Sequence, residues 1–184
     1  MAMTDQPEIV TERLVLRRPR LRDAPRIASL LNNFEVTKNL ARVPHPYTIN
    51  MAVDWLIRQK REWTPDSVTF AVCDKRNGLM GFCGMHREGR DAEIGYWLGQ
   101  PYWGQGYMTE AATATIDWYF RASGSDRMVS GVFYFNAASL AVQEKLGFVR
   151  TGIGKRICLA QNAEIDHIET ELTREAFYKA LETR

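Results

Sequence analysis

QPYWGQGYMTEAA, residues 100–112, is where one kind of text gives way to another. Ahead of it, Ala92 to Leu98 reads as a strand bounded by turn formers. Behind it, Met108, Ala111, Ala112, Thr115, Trp118 and Tyr119 recur at three-and-four spacing, which predicts a long buried helix from Gly104 to about Phe120, stopped by Gly124. The glycines Gly104 and Gly106 therefore sit where a loop becomes a helix. Backbone N–H groups at a helix start have no partner inside the helix and lie at the positive end of its dipole, so they attract phosphate. Two glycines remove the Cβ atoms that would hold a phosphate off. Two familiar phosphate motifs do not match: a dinucleotide fingerprint needs glycine or alanine at Thr109, and a P-loop needs Gly-Lys-Ser/Thr at the helix start.

Working outward, Arg13 to Arg17 alternates as a half-buried strand, and Asp23 with Pro25 marks the cap and first turn of a helix carrying Ile27, Leu30 and Leu31. Thr48 caps a second helix to about Trp63, with Met51, Trp55 and Ile57 as its apolar face. Val68–Cys73 and Leu79–Met85 form a hairpin about Asn77-Gly78, and a turn at Arg87–Asp91 leads to the Ala92–Leu98 strand. Met128 to Phe135 reads as a strand, Ala137 to Leu146 as a helix ended by Gly147, and two further strands, Val149–Leu159 and Glu164–Leu172, precede a short amphipathic helix from Arg174. This order predicts an α/β fold, with a mixed, mostly antiparallel twisted sheet of about six to seven strands and helices on both faces.

The 184 residues are expected to form one domain, residues 1–184. Hydrophobic residues at 45% and charged residues at 25% fit a soluble globular chain, and a net charge of +2 does not by itself imply nucleic acid. The start, MAMTDQPEIV, lacks a basic segment followed by an apolar one, and no apolar run reaches a membrane span, so a cytoplasmic location and no membrane partner are expected. Cys73, Cys83 and Cys158 lie in apolar text and read as reduced core residues. The histidines and cysteines lack ligand spacing, so no metal site is expected. The basic run Arg13, Arg17, Arg18, Arg20, Arg22 and Arg26 reads as a solvated strand face and helix start, and no nucleic-acid partner is inferred from it.

Three stretches together carry a resemblance. They are Thr11 to Arg18 with Arg22-Asp23-Ala24; Ala92 to Tyr96 leading into Trp103 to Ala111; and Asn136 to Ser139 continuing to Glu144-Lys145-Leu146-Gly147-Phe148. In this order the chain resembles the GCN5-related N-acetyltransferases (GNAT), most closely the branch with the ribosomal-protein alanine and serine N-acetyltransferases. The resemblance implies a single N-acetyltransferase domain with the GNAT fold, acetyl-coenzyme A as cosubstrate and a primary amine as acceptor. The acceptor is a protein N-terminus, ribosomal or other; alternatives are an amino acid, polyamine or antibiotic, or a non-catalytic acyl-coenzyme A-binding module. Close relatives are often dimers, which makes a homodimer an expectation.

By that resemblance, Trp103, Gly104, Gln105, Gly106, Tyr107, Met108 and Thr109 receive the diphosphate, and the strand ending at Trp97 and Leu98 offers an edge to the pantetheine arm. Asn136 and Ser139 contact the rest of the arm. Pro101 stands where the broad family has glutamine or arginine, and Gln143 where it commonly has a tyrosine. Ser139 is then the residue expected to hydrogen-bond the leaving sulfur. Glu93 is named as the base, because its strand leads to the loop and a carboxylate can order a water beside the amine. By alternation it shares a face with Gly95 and Trp97, where an ordinary solvent-facing glutamate is the competing reading. Glu169, Glu171, Asp166, His167 and His86 compete for the same role. The tryptophans Trp55, Trp63, Trp97, Trp103 and Trp118 are expected to pack in the core or line the acceptor cleft.

Overall fold

Strand pairing follows from the short connections. Two hairpins put residues 68–98 into a meander, and later segments can join that sheet only from its far side. In the computed structural model, which describes residues 6–61, 64, 67–76, 78–87 and 91–183, the strands are β1 (Ile9–Val10), β2 (Leu14–Arg17), β3 (Val68–Asp74), β4 (Leu79–Arg87), β5 (Ala92–Leu98), β6 (Arg127–Phe133), β7 (Val149–Cys158) and β8 (Ala163–Thr173). The helices are α1 (Ala24–Leu31), α2 (Phe34–Thr37), α3 (Ile49–Arg61), α4 (Tyr107–Ser123), α5 (Ala137–Leu146) and α6 (Arg174–Glu182). The eight strands form one sheet in the order β1-β2-β3-β4-β5-β6-β8-β7. The count exceeds the expected six to seven because β1, two residues long, is too short for alternation to register. Asn77, Trp63 and most of the expected Arg87–Asp91 turn lie outside the described residues.

Helices cover both faces. On one, Ala111, Ile116, Tyr119 and Phe120 of α4, with Leu146 of α5 and Phe177 of α6, pack on Leu14, Phe70, Met85 and Ile94. On the other, Ile27 and Leu31 of α1 and Ala52 and Leu56 of α3 pack on Ala71, Cys73 and Phe82. All three cysteines are free and buried, and burial pushes the thiols of Cys73 and Cys83 up to about 11 and about 12. Among the described residues no helix is long and apolar enough to cross a membrane.

Three local expectations are corrected. The buried stripe of α3 is Ala52 and Leu56, while Met51 and Ile57 are each 39% exposed; Trp55 of the expected face does pack on Phe82, with ring centres 4.9 Å apart, and small Ala52, easily passed over, sets the register. The α4 helix starts at Tyr107, because Gly104 and Gly106 both hold left-handed φ values of 71° and 78° that end the loop without continuing the helix. Asp23 precedes α1 but makes no side-chain cap: its carboxylate takes both guanidinium nitrogens of Arg17 at 2.9 and 2.8 Å and the Arg20 N–H at 2.8 Å. Arg17 is therefore buried, not solvated, while Arg13, Arg20, Arg22 and Arg26 of the same run are exposed, as expected. Arg13 reaches Glu110, and Arg26 donates to the Tyr102 hydroxyl at 2.6 Å and to the Leu79 carbonyl.

The feature that positions a site is the seam between β5 and β6. Every other neighbouring pair is antiparallel; this pair is parallel and meets at one rung, Glu93 opposite Val129. Beyond that rung β5 stays with β4 and β6 stays with β8, so the sheet opens as a wedge. Side chains finish what the ladder leaves. Ser130 Oγ donates to the Ile94 carbonyl at 2.9 Å, Gln143 Nε2 donates to Ser130 Oγ at 2.9 Å, and Thr170 Oγ1 donates to Gln143 Oε1 at 2.8 Å. All three of these side chains are buried. Each buried polar group thereby keeps a partner, and the apex of the wedge is fixed.

Candidate active site

The glycine loop and α4 form the first component. The first bond inside α4 runs from the Glu110 N–H to the Gly106 carbonyl at 3.1 Å, which leaves the N–H groups of Tyr107, Met108 and Thr109 without a helical acceptor, and no side chain caps them. Residues 103–106 are exposed, and a Cβ built on Gly104 would meet nothing within 4 Å, so the approach is open. Met108 turns its side chain into the core and can offer only its backbone.

The loop is held from outside by a residue that sequence reasoning assigned to a solvated face. Arg13 Nη1 donates to the Gln105 carbonyl at 2.9 Å, Arg13 Nε donates to Glu110 Oε2 at 2.7 Å, and the guanidinium lies 4.5 Å from the Tyr107 ring centre. Thr11 Oγ1 and the Arg13 N–H both donate to Glu110 Oε1. Burial alone would push the Glu110 carboxyl up; the bonds from Thr11 and Arg13 outweigh it and hold the group below its ordinary value. Gln105 Nε2 closes the loop on the Pro101 carbonyl at 3.0 Å. No spacing signal links residues 11–13 to a loop more than ninety positions away.

The wedge is the second component. Ser130 occupies the Ile94 carbonyl and Trp103 Nε1 donates to the Leu98 carbonyl at 2.8 Å, so those two carbonyls face the opening. By the alternation of a strand, the N–H and C=O of Tyr96 between them face it too, while Trp97, paired with Phe82, turns its backbone to β4. The indole of Trp97 packs on Phe82 with ring centres 5.6 Å apart, on the α1–α3 side. Across the opening stands the start of α5. Asn136 Oδ1 accepts from the Ser139 N–H at 3.2 Å, a cap of the ordinary kind. Ser139 Oγ donates to Tyr96 Oη at 3.1 Å, and Tyr96 Oη donates to the Ser139 carbonyl at 3.2 Å. Burial raises the Tyr96 phenol well above its ordinary value, and the bonds from Ser139 and Gln143 only partly offset it.

The third component lies on the α1–α3 side of the wedge. Glu93 Oε1 is 3.5 Å from Arg156 Nη1, and Arg156 Nη2 is 3.6 Å from Glu169 Oε2. Glu169 Oε1 lies 2.9 Å from Nδ1 of the buried His167. Glycines make room for this cluster: a Cβ on Gly131 would stand 2.2 Å from His167 Cε1, and one on Gly154 would stand 3.0 Å from Glu169 Oε1. Glu93 is thus a paired glutamate with its side chain 21% exposed, grouped with two of its named competitors. His86 is opposite Glu93 in the ladder, and the bare Gly95 lies beside it, 3.6 Å from His86 Cε1 to a built Cβ. Asp166 and Glu171 fall away from the cluster: Asp166 is exposed, and Glu171 pairs with Arg127 at 3.1 Å near the other end of β6. Arg156, the residue joining both carboxylates, was not singled out from sequence, where it is one cation among many. The tip beyond β7 closes one end of this groove, since Leu159 N–H bonds the Ala41 carbonyl and Gln161 Nε2 bonds the Lys38 carbonyl.

An uncapped helix start, a wedge in a sheet and a carboxylate cluster beside it suit a ligand with a phosphate end, an extended amide arm and a reactive end. Comparison with known proteins agrees. Residues 13–149 match the acetyltransferase (GNAT) domain family. The uncharacterized N-acetyltransferase p20 of Bacillus licheniformis is 29% identical over 150 residues, 79% of this chain and 84% of that protein. The structure of the ribosomal-protein-S5-alanine acetyltransferase from Vibrio fischeri superposes with a TM-score of 0.77 at 25% identity, over 94% of this chain and 99% of that one. Mycobacterium smegmatis RimJ, solved in complex with CoA-disulfide, shares the fold with a TM-score of 0.79 at 21% identity, over 92% and 88% of the two chains. The family match spans most of the sequence and both sides of the wedge, so the chain belongs to the GNAT family and is an N-acetyltransferase.

Proposed function

We propose that the protein transfers acetyl from acetyl-coenzyme A to the α-amino group of a protein N-terminus. The observation that carries this reading is the single-rung seam, which leaves the Tyr96 backbone free between two capped carbonyls and beside an uncapped helix start. The fit to the donor is direct. The backbone N–H groups of Gly104 to Thr109, with Trp103 and Gln105 in the same turn, would hold the diphosphate. The Tyr96 carbonyl and the Leu98 N–H on the β5 edge would pair with the pantetheine amides as an added strand, with Asn136 at the far side. Trp97 falls to the acceptor side of the same strand.

An amine attacks a thioester only when neutral, and an α-amino group with a pKa of about 8 arrives mostly protonated. Glu93 accepts the ammonium proton through an ordered water, the neutral amine enters over Gly95 and its nitrogen bonds the acetyl carbon, and the second proton that nitrogen sheds as the amide forms passes to solvent along the same water. The Tyr96 N–H is placed to receive the charge that develops on the acetyl oxygen. As the carbon–sulfur bond breaks, Ser139 Oγ hydrogen-bonds the departing sulfur. Arg156 offsets only one of the two carboxylate charges of Glu93 and Glu169, and the charge left over favours a cationic acceptor; ribosomal-protein relatives of the same fold favour a peptide one.

The test is calorimetric titration of acetyl-coenzyme A followed by thiol release with a panel of peptides, amino acids, polyamines and aminoglycosides. Peptides are expected to be turned over with the highest kcat/KM; preference for a small amine would move the acceptor, and binding without any release would leave only an acyl-coenzyme A-binding module. Gly106→Val, which forces a β-branched residue to a φ of 78°, is expected to weaken acetyl-coenzyme A about tenfold, since each left-handed residue costs about 1–2 kcal/mol.

A further inference from the structure

We infer that Tyr96 is a positioning residue that acts on the departing sulfur through Ser139; this rests on the acetyl-transfer reading above. The helix position where the wider family commonly carries a phenol holds Gln143, and here that amide donates to Ser130, accepts from Thr170 and bonds the Tyr96 hydroxyl. An amide is no acid, so it has no proton to give up to a departing thiolate. A phenol nevertheless reaches the same place from the opposite bank, because Tyr96 of β5 lays its hydroxyl against the first turn of α5, 3.1 Å from Ser139 Oγ and within the influence of Gln143.

Two hydroxyls in contact can donate in either direction, since each is both donor and acceptor. In one arrangement Ser139 donates to Tyr96 and Tyr96 donates to the Ser139 carbonyl, as the structure places them. Rotating both hydroxyl hydrogens, with no heavy atom moving, makes Tyr96 Oη–H donate to Ser139 Oγ and aims the Ser139 O–H into the opening. Negative charge appearing on sulfur selects the second arrangement. A chain of two such bonds is polarised along its length and is stronger than one alone. Burial keeps the phenol protonated throughout the range where amines are acetylated, so Tyr96 always has the hydrogen to give. No net proton leaves it: of the two protons that the ammonium nitrogen sheds, the first goes to Glu93 and the second to solvent through the same water, sulfur departs as a hydrogen-bonded thiolate, and that thiolate takes its proton from solvent.

Steady-state kinetics of Tyr96→Phe, Ser139→Ala and the double variant test this, with thermal melts to verify folding. Phenylalanine keeps the ring and removes only the hydroxyl. Tyr96→Phe is expected to lower kcat about tenfold and to leave the KM for acetyl-coenzyme A within about twofold, whereas Ser139→Ala lowers kcat about 30-fold, as for a hydrogen bond to a charged atom. The double variant is expected to match Ser139→Ala alone, because the phenol works only through the serine. A Tyr96→Phe enzyme with unchanged kcat, or a double variant slower by the product of the two factors, overturns the inference while leaving acetyl transfer intact. Wild-type protein that releases no thiol with any amine overturns both.

Discussion

Asp23→Ala is expected to lower the free energy of unfolding by about 3–5 kcal/mol, the usual consequence of stripping one partner from a buried ion pair. Arg17 and Asp23 are 3% and 5% exposed and joined by two parallel bonds of 2.9 and 2.8 Å. The bond to Asp23 raises the Arg17 pKa against the opposing effect of burial; with Asp23 gone that support is lost, yet a guanidinium is too basic to give up its proton, so an unpaired buried charge remains. The same carboxylate holds the Arg20 N–H, which fixes the turn that launches α1. Urea unfolding followed by circular dichroism measures the loss. Because two apolar side chains can replace such a pair at little cost, Arg17→Met combined with Asp23→Leu should recover most of the stability. A single variant that costs less than about 1 kcal/mol would mean that water or another group takes up the charge.

Glu93→Gln is expected to lower kcat/KM for the amine about 100- to 1,000-fold while leaving the affinity for acetyl-coenzyme A unchanged, as removal of a positioned base does. Glu93 sits at the last rung before the sheet opens and on the open side of β5. Glutamine keeps the shape and the Arg156 neighbour can still be met by its amide oxygen, so folding is preserved. The comparison that matters is Glu169→Gln, which touches the same arginine from β8. If the larger loss falls on Glu169, that residue, oriented by His167, takes over as the base, and Glu93 serves only to aim Arg156.

The legible parts of the chain were those set by near neighbours. The Ala137–Leu146 helix is found within the bounds its Asn136 and Gly147 imply, because both caps are local devices: a side-chain bond to the Ser139 N–H and a left-handed glycine. The face shared by Glu93, Gly95 and Trp97 was also readable, since a period of two needs only the strand itself. What could not be read depends on distant contacts. Arg13 and Glu110 lie 97 residues apart, and Arg156 meets Glu93 across two intervening strands, so neither pair leaves a spacing in the text. Gln143 illustrates the intermediate case: its position could be aligned with a catalytic one, but only the fold shows its amide buried between Ser130 and Thr170.

The seam between β5 and β6 makes the two halves of the molecule unequal partners of the donor. Lacking all but one rung, the halves are joined there by Ser130 on the Ile94 carbonyl, by the paired hydroxyls of Tyr96 and Ser139, and by Arg156 on Glu93. A pantetheine arm lying in the opening would supply the missing rungs and act as a removable splint. Anything that binds only the folded state raises its stability by mass action, about 2.7 kcal/mol at a hundredfold excess over Kd. Resistance of this enzyme to heat and proteolysis would then track the cell's supply of acetyl donor.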